Sequence, residues 1–207
     1  MTCMKGFTLI ELLVVIVIIG ILSGFGVANF LGYQDQARVA AMQAELRSGI
    51  NELLALRVDY ENGDLTATEL MAKDLAVVEK AIELGRFQTT QTLIDITGNT
   101  CSDCVCRSFS LQAPYSAPAQ ACVDRWDTLL TALKAATDID LNFMDVDPWG
   151  SPYLVDENEG EQGGNYCRRD TLFSAGPDRV HEAIGEDAAG DGYSIRLSFL
   201  DVGQCGA

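Results

Sequence analysis

The chain has 207 residues, a formal net charge of −16 and a hydrophobic content of 48%. Its 14 Lys and Arg against 30 Asp and Glu exclude a nucleic-acid-binding protein that works by neutralising phosphates. Five Pro and 19 Gly are too few for a collagen-like or low-complexity chain. Because an acidic soluble domain is expected to be less apolar, we infer that the apolar residues are concentrated in one part of the sequence.

The N-terminal part of the sequence holds that apolar surplus. From Leu12 to Gln34 there are 23 consecutive residues without a charged side chain. As a helix rising about 1.5 Å per residue, residues 7–30 would extend over roughly 36 Å, enough to cross the hydrocarbon core of a bilayer. Glu11 stands in this apolar segment, and an acid inside a membrane is costly and usually has a partner. We therefore expect a transmembrane helix over residues 7–30 in which Glu11 has a specific role.

The residues around Glu11 form a motif. The run Lys5-Gly6-Phe7-Thr8-Leu9-Ile10-Glu11, followed by an apolar helix, resembles the prepilin signal of type IV pilins and type II secretion pseudopilins. The resemblance implies that residues 1–6 are a leader, that a prepilin peptidase cleaves between Gly6 and Phe7, and that Phe7 is N-methylated. It also implies that Glu11 of one subunit pairs with the Phe7 amine of its neighbour during assembly. An unpaired buried carboxylate is costly, which favours insertion in one register.

The N-terminal helix is predicted to continue as far as Asp59. Apolar residues recur at spacings of three and four through residues 31–60, which is typical of an amphipathic helix. They are Val39, Met42, Leu46, Ile50, Leu53, Leu56 and Tyr60. Asn62-Gly63-Asp64 supplies turn residues at the end of this helix. We expect residues 31–60 to pack on a globular domain.

Residues 61–146 are interpreted as a helical insertion that contains cysteines. Thr66 and Glu69 form a predicted capping box, which opens a helix expected to end before Gly85. Residues 92–97 are predicted to form a short strand, and a further helix is predicted to begin at Asp124.

The cysteines admit two interpretations. The Cys-x-x-Cys-x-Cys spacing from Cys101 to Cys106 is compatible with a zinc or iron–sulfur centre. Loss of Cys3 with the leader leaves an even number of cysteines, and disulfides persist in a periplasmic domain. No second Cys-x-x-Cys or His pair completes a metal site, since His181 is the only histidine. We favour disulfides, with open connectivity, among Cys101, Cys104, Cys106, Cys122, Cys167 and Cys205.

The C-terminal third carries most of the negative charge and a second resemblance. Residues 138–191 contain 14 Asp and Glu but only three Arg. The run Asp147-Pro148-Trp149-Gly150-Ser151-Pro152-Tyr153 resembles the Asp-Pro-Trp-Gly-x-Pro-Tyr signature of the major pseudopilin of type II secretion. The run Leu172-Phe173-Ser174-Ala175-Gly176-Pro177-Asp178 resembles the Ser-x-Gly-x-Asp loop of that family. Residues 147–207 are predicted to form an antiparallel sheet, with strands at 151–156, 166–175 and 193–200.

Members of that family hold a calcium ion in the loop that follows, so the resemblance implies a structural calcium site. Calcium prefers hard oxygen ligands from carboxylates and backbone carbonyls. The candidate ligands are Asp178, Asp187 and Asp191, with a backbone oxygen of Ser174 or Leu172. Two departures from the family pattern are Arg179, where Gly is usual, and the spacing to Asp191. The alternative is a solvated acidic loop without an ion.

These patterns together predict an α+β, pilin-like fold in which a long N-terminal helix, first transmembrane and then amphipathic, packs on a small antiparallel sheet. The implied function is that of a structural subunit, not an enzyme, of a helical pseudopilus that drives type II secretion. The implied location is the inner membrane, with the C-terminal domain in the periplasm. The implied partners are copies of the chain itself, minor pseudopilins, the prepilin peptidase and the inner-membrane assembly platform.

Two alternatives remain open. A type IV pilus subunit is the nearest, because the cysteine-bearing middle of the chain suits a pilin better. A membrane-tethered periplasmic metal or redox domain is the alternative of another class, and the absence of a His–Cys, His–Glu or Ser–His constellation disfavours it.

Overall fold

The computed structural model describes residues 9–98, 106, 110–159, 167–181 and 193–198, with the backbone alone for residues 22–32. The chain divides into two compact units, Met1–Ala41 and Met42–Ala207. Helix α1, Leu9–Asn62, is continuous through the boundary between them. Within the described part of the chain, no helix is both long and apolar enough to cross a membrane.

The end of α1 is the turn that the sequence predicts. Gly63 has a φ of 82°, a left-handed conformation that favours glycine. The N–H groups of Gly63 and Asp64 donate to the carbonyls of Tyr60 at 3.0 Å and Asp59 at 2.9 Å. These bonds satisfy carbonyls that the last turn of a helix would otherwise leave unpaired.

Helix α2, Ala67–Thr89, begins at the predicted capping box. The N–H of Glu69 donates to the Thr66 hydroxyl at 3.3 Å, and the N–H of Thr66 donates to the Glu69 carboxylate at 3.0 Å. The prediction that the helix ends before Gly85 is wrong, because Gly85 lies inside α2. A Cβ at Gly85 would overlap Cδ2 of Leu133, so glycine here permits close contact with a neighbouring helix.

The final turns of α1 pack on α2 through two kinds of contact. Leu46 and Leu53 of α1 are buried, and a Cβ at Gly49 would lie 3.2 Å from Cγ2 of Val77. Three ion pairs cross the same interface. They are Glu45 with Lys80, Glu52 with Lys73 at 3.4 Å, and Arg57 with Asp74 at 2.7 Å.

Residues 92–97 are not the strand that the sequence predicts. Helix α3, Leu93–Thr97, occupies them instead. The Thr92 hydroxyl accepts from the N–H of Asp95 at 3.3 Å, and Asp95 accepts from the N–H of Thr92 at 3.0 Å. This second capping box outweighs the β-propensity of the Thr and Ile residues in the segment.

Helix α4, Ala117–Thr137, begins seven residues before the predicted start at Asp124. Ser116 is its N-cap and accepts from the N–H of Ala119 at 3.4 Å, and Pro118 stands in the first turn. Proline is well tolerated there because the first N–H groups of a helix have no intrahelical acceptor. A short 3₁₀ helix, Asn142–Met144, follows.

The described strands form one antiparallel sheet in the order β1-β2-β3. They are β1, Leu154–Asp156, β2, Thr171–Ser174, and β3, Tyr193–Arg196. Leu172 lies opposite both Val155 and Ile195. The strands are shorter than predicted: residue 151 is not part of β1, because its N–H donates to the side chain of Asp147. Helices and sheet together confirm the α+β fold class.

Candidate functional site

The processing motif leads into the first turns of α1. Gly6 and Phe7 lie outside the described residues, and Glu11 stands in the first turn of α1. The carboxylate is favourably placed there, because the amino end of a helix carries a partial positive charge. Glu11 also takes part in an interaction within the chain.

The large residues on both sides of Glu11 are apolar and exposed. Large apolar side chains from Leu9 to Ile21 expose between 46% and 83% of their surface. In the order of the chain they are Leu9, Ile10, Leu12, Leu13, Val14, Val15, Ile16, Val17, Ile18, Ile19 and Ile21. A helix that is apolar all round is normally buried in a membrane or in a larger assembly.

The two runs that resemble pseudopilin motifs meet at one carboxylate. Oδ1 of Asp147 accepts from the N–H of Trp149 at 3.0 Å and of Ser151 at 2.8 Å. Oδ2 of Asp147 accepts from the Ser174 hydroxyl at 2.6 Å, and that hydroxyl accepts from the N–H of Gly176 at 3.1 Å. A single side chain therefore closes the loop at 147–151 and attaches it to the end of β2.

The Asp147 carboxylate is buried, with 2% of the residue exposed. Burial raises the pKa of Asp147 to about 6, because a charge is poorly solvated there, although the three hydrogen-bond donors lower it. The nearby Asp74 raises it further. The connection between the two loops is therefore sensitive to mildly acidic pH.

Trp149 lies between the end of α1 and the start of β3. Its indole N–H donates to the Tyr60 hydroxyl at 3.2 Å, and the two rings meet edge to face at 6.0 Å. The ring of Trp149 also stacks on the ring of Tyr193, with 6.3 Å between the ring centres. The hydroxyl of Tyr193 is hydrogen-bonded to the hydroxyl of Thr68 at 3.2 Å. This aromatic cluster holds the 147–151 loop against α1, α2 and β3.

A second buried carboxylate, Asp74 of α2, connects three elements. It pairs with Arg57 of α1 and accepts from the hydroxyl of Tyr153, the residue before β1. Burial raises the pKa of Asp74, and its bonds to Arg57 and Tyr153 lower it. Tyr153 in turn packs its ring 5.1 Å from the ring of Trp126 in α4.

A third buried cluster surrounds Arg86 of α2. The guanidinium donates to Glu159 and, at 2.8 Å, to the carbonyl of Ser198. Asp170 lies beside it and accepts from the N–H groups of Asn158 and Glu159, each at 2.7 Å. Burial raises the pKa of Asp170 to about 6, although these hydrogen bonds and the positive charge of Arg86 lower it. Arg86 therefore connects α2 to the segments that flank the sheet.

Neither Asp74 nor Arg86 was identified from the sequence as a functional or structural residue. One signal for Asp74 was available, since an acid on the apolar face of a helix needs a buried partner. That face contains Met71, Asp74, Leu75 and Val78, all buried in α2. No comparable local signal exists for Arg86, whose partners lie more than 70 residues away.

The structure describes three of the five candidate calcium ligands. Leu172 and Ser174 are buried in β2, and the Ser174 hydroxyl is occupied by Asp147 and Gly176. Asp178 is exposed, and its Oδ1 accepts from the N–H of Val180 at 2.9 Å. Asp187 and Asp191 lie outside the described residues. Among those described, no group of three or more His, Cys, Asp or Glu is arranged to hold a metal ion.

The cysteines include a buried disulfide. Cys106 and Cys122 are bonded to each other, with 6.0 Å between their Cα atoms, and both are fully buried. They pack with the apolar side chains of Leu111, Ala119, Leu154, Phe173 and Ala175. Cys167 is also disulfide-bonded, while Cys101, Cys104 and Cys205 lie outside the described residues. A zinc or iron–sulfur site that uses Cys106 is incompatible with this bond.

Comparison with known families identifies the N-terminal motif. Residues 1–27 match the family model of the prokaryotic N-terminal methylation motif, which is the prepilin-type leader of type IV pilins and pseudopilins. The resemblance predicted from residues 5–11 is thereby confirmed. No curated protein and no solved structure matches the chain.

The motif supports several statements of a general kind. It indicates a pilin-like or pseudopilin subunit, which is a structural role. It implies processing by a prepilin peptidase and polymerisation. It also suggests anchoring in the inner membrane, with the remaining domain in the periplasm.

Proposed function

We propose that this chain is the major subunit of a helical pseudopilus that drives protein export by type II secretion. In this mechanism the peptidase hydrolyses the bond between Gly6 and Phe7 and leaves a free amine on Phe7. Subunits then leave the inner membrane one by one and join the base of a growing filament. Glu11 of the incoming subunit pairs with the Phe7 amine of its neighbour, which fixes the register of the apolar helices.

The link between Asp147 and Ser174 is the observation that favours a pseudopilus over a type IV pilus. Both runs that resemble the major pseudopilin are present, and the hydrogen bond at 2.6 Å connects them. The same carboxylate bonds two N–H groups within the first run. Residues of the two runs are therefore hydrogen-bonded to each other, as expected of parts of one structural unit.

The disulfide supports the proposed location of the domain. Disulfides form and persist in oxidising compartments such as the bacterial periplasm. Cys106 and Cys122 are buried in the apolar core, where a structural role suits them better than catalytic redox exchange. This arrangement supports a periplasmic domain and gives no support to a membrane-tethered redox or metal-binding domain.

A type IV pilus subunit, used for adhesion, twitching motility or DNA uptake, is the second candidate. The observation that favours it is the helical segment between α1 and β1, which contains α2, α3, α4 and the Cys106–Cys122 bond. Deletion of the gene in its own host separates the two functions. Loss of secreted proteins with normal motility supports a pseudopilus, whereas loss of surface pili or twitching with normal secretion supports a pilus.

The role of Glu11 gives a test of filament function that applies to both systems. Glu11→Leu is expected to leave the chain processed and in the membrane fraction but to abolish filaments. Mass spectrometry of wild-type protein is expected to find an N-methylated Phe7 as the first residue. Normal filaments from Glu11→Leu would contradict the pairing role, and an intact leader would contradict the filament function itself.

We also propose a structural calcium ion in the loop that joins β2 to β3. The Ser174 hydroxyl is already occupied, so only backbone oxygens of Ser174 and Leu172 are suitable ligands from β2. Asp178 has one carboxylate oxygen, Oδ2, without a hydrogen bond among the described residues. The departure at Arg179 does not disturb the turn, because Arg179 adopts a φ of 60° and occupies the left-handed conformation usual for glycine.

Chelation tests the calcium proposal without reference to secretion. Removing calcium from the purified, detergent-solubilised chain is expected to lower its melting temperature, because a bound ion stabilises the folded state. Readdition of calcium is expected to restore it, whereas Asp187→Ala protein is expected to be insensitive to both treatments. A wild-type melting temperature that does not change with chelation would mean that the acidic loop holds no ion.

A further inference from the structure

The last turns of α1 expose a face that combines apolar and acidic side chains. Leu54 and Val58 expose 51% and 53% of their surface, although both lie in the part of α1 that packs on α2. Glu61 is also exposed, and its spacing from them places the three side chains on one side of the helix. We call Leu54, Val58 and Glu61 the terminal face. Exposed large apolar residues bordered by charge are typical of protein–protein contacts.

The negative charge at this end of α1 is not neutralised within the described part of the chain. Asp59, Glu61 and Asp64 are exposed, and the last turn of α1 contains no basic residue. None of the three carboxylates forms an ion pair with a described Lys or Arg. The carboxyl end of a helix itself carries a partial negative charge, so acids there are unfavourable. A cationic partner would relieve this cost.

Three arginines lie at one end of the sheet, where Asp156 of β1 also lies opposite Thr171. Arg168 and Arg169 stand just before β2, and Arg196 is the last residue of β3, opposite Thr171. All three are exposed. Burial and the nearby Glu83 raise the pKa of Glu79 in α2, and Arg169 is close enough to oppose this effect. Arg196 forms no ion pair with any described residue.

The arginines at the sheet end do not reach the terminal face of their own chain. Tyr193 begins β3 beside Thr68 at the start of α2, and Ser198 follows β3 beside Arg86 near the end of α2. The strand therefore runs along α2, away from the turn that joins α2 to α1. Arg196 lies about 10 Å farther along than Tyr193, since a strand rises about 3.3 Å per residue.

We propose that the terminal face of one subunit docks on the sheet end, around Arg196, of a second copy of this chain. Glu61 and Arg196 are opposite in charge, and neither forms an ion pair with a described residue. The exposed Leu54 and Val58 supply apolar area beside Glu61. The two surfaces are different parts of the same chain, so the contact is head-to-tail. Such contacts build open helical filaments when the rotation does not close into a ring. The inference rests on the proposed filament function and names one interface within it.

Charge reversal in the full-length chain tests this interface in its own host. Arg196→Glu is expected to reduce sheared or pelleted filaments at least roughly tenfold, because like charges then face each other across the contact. Glu61→Arg alone is expected to have the same effect, and Glu61→Arg with Arg196→Glu is expected to restore filaments. The matched control is Lys134→Glu in α4, which changes the net charge as Arg196→Glu does and removes only partly exposed contacts with Asp145 and Asn142.

The outcomes separate this inference from the proposed function. Since Glu61 and Arg196 are exposed, the variants are expected to melt at the same temperature as wild type, which excludes misfolding as the cause. If Arg196→Glu forms filaments as well as Lys134→Glu does, the proposed interface is wrong and the filament function stands. If the double variant stays as defective as each single one, the pairing is wrong. If wild-type chains form no filaments, the proposed function itself fails.

Discussion

The hydroxyl of Ser174 donates a hydrogen bond of 2.6 Å to Oδ2 of Asp147, from a position 27 residues farther along the chain. The other oxygen of the same carboxylate holds the N–H groups of Trp149 and Ser151. Two loops that are separate in sequence therefore depend on one buried acid. Because the pKa of that acid is raised to about 6, its protonation changes within a biologically accessible pH range.

The first prediction concerns stability against pH. The folded-state pKa values of Asp147 and Asp170, about 6, lie above the ordinary value of about 3.9. The folded state therefore binds these protons more tightly, and its stability falls as pH rises from about 4 through 6. Each group is expected to make the chain about 1.4 kcal/mol more stable at about pH 5 than at about pH 7.5.

Thermal melts of the detergent-solubilised chain at these two pH values measure this effect. Asp147→Asn is the control, because its amide oxygen still accepts from Trp149 and Ser151 while its NH₂ donates to Ser174. We expect that variant to lose about half of the pH dependence. Equal melting temperatures for the wild type at both pH values would show that the two acids are not shifted upward.

The second prediction concerns the crossing of α2 and α4. Gly85→Ala places a methyl group against Cδ2 of the buried Leu133, which must shift to accommodate it. Overpacking of this kind costs roughly 1–3 kcal/mol, more than the helix propensity of up to about 1 kcal/mol that alanine adds. Gly49→Ala is the matched control, since its Cβ would meet Val77 at 3.2 Å. Denaturant unfolding is expected to show a clear loss for Gly85→Ala and a smaller change for Gly49→Ala.

The third prediction compares a buried ion pair with an exposed one in the same helix interface. Arg57→Met leaves the buried Asp74 without its cation, and we expect a loss of roughly 2–4 kcal/mol at neutral pH. The loss is expected to be smaller at about pH 5, because the pKa of Asp74 is raised and the acid is more readily protonated there. Lys73→Met removes the exposed partner of Glu52 and is expected to cost less than about 1 kcal/mol. Equal losses for the two variants would contradict the role given to Asp74.

The fourth prediction concerns the Cys106–Cys122 disulfide, which spans 16 residues of sequence. Replacing both cysteines with alanine is expected to lower the free energy of unfolding by about 3 kcal/mol, because the unfolded chain gains freedom. Denaturant unfolding of the oxidised variant and the oxidised wild type measures this contribution, because a reducing agent would also break the bond of Cys167. If the variant is as stable as the oxidised wild type, the bond contributes nothing to stability.

Local patterns explain what could be predicted from the sequence. The capping box at Thr66, the turn at Gly63 and the alternation in the strands all depend on residues a few positions apart. The same local chemistry is present at Thr92 and Asp95, where a capping box indicates a helix although the β-propensity of the segment predicts a strand. At Ser116 the N-cap stands before the apolar pattern of α4 begins, so the pattern alone predicts a start that is too late.

Other features depend on partners far away in sequence. Gly85 is a usual sign of a helix end, and only the position of Leu133 on α4 explains a glycine inside α2. The run from Asp147 to Tyr153 could be recognised as a motif, but the bond from Asp147 to Ser174 could not be deduced from it. Side-chain geometry across tens of residues is set by packing, which a single sequence does not display.

The positions of the ion pairs between α1 and α2 have a mechanical consequence. Glu45 pairs with Lys80, whereas Glu52 and Arg57 farther along α1 pair with the adjacent residues Lys73 and Asp74. A force applied along this part of α1 would stretch the three pairs together. Two of them are exposed and contribute little, so the buried Asp74 with its partner Arg57 would supply most of the resistance to sliding.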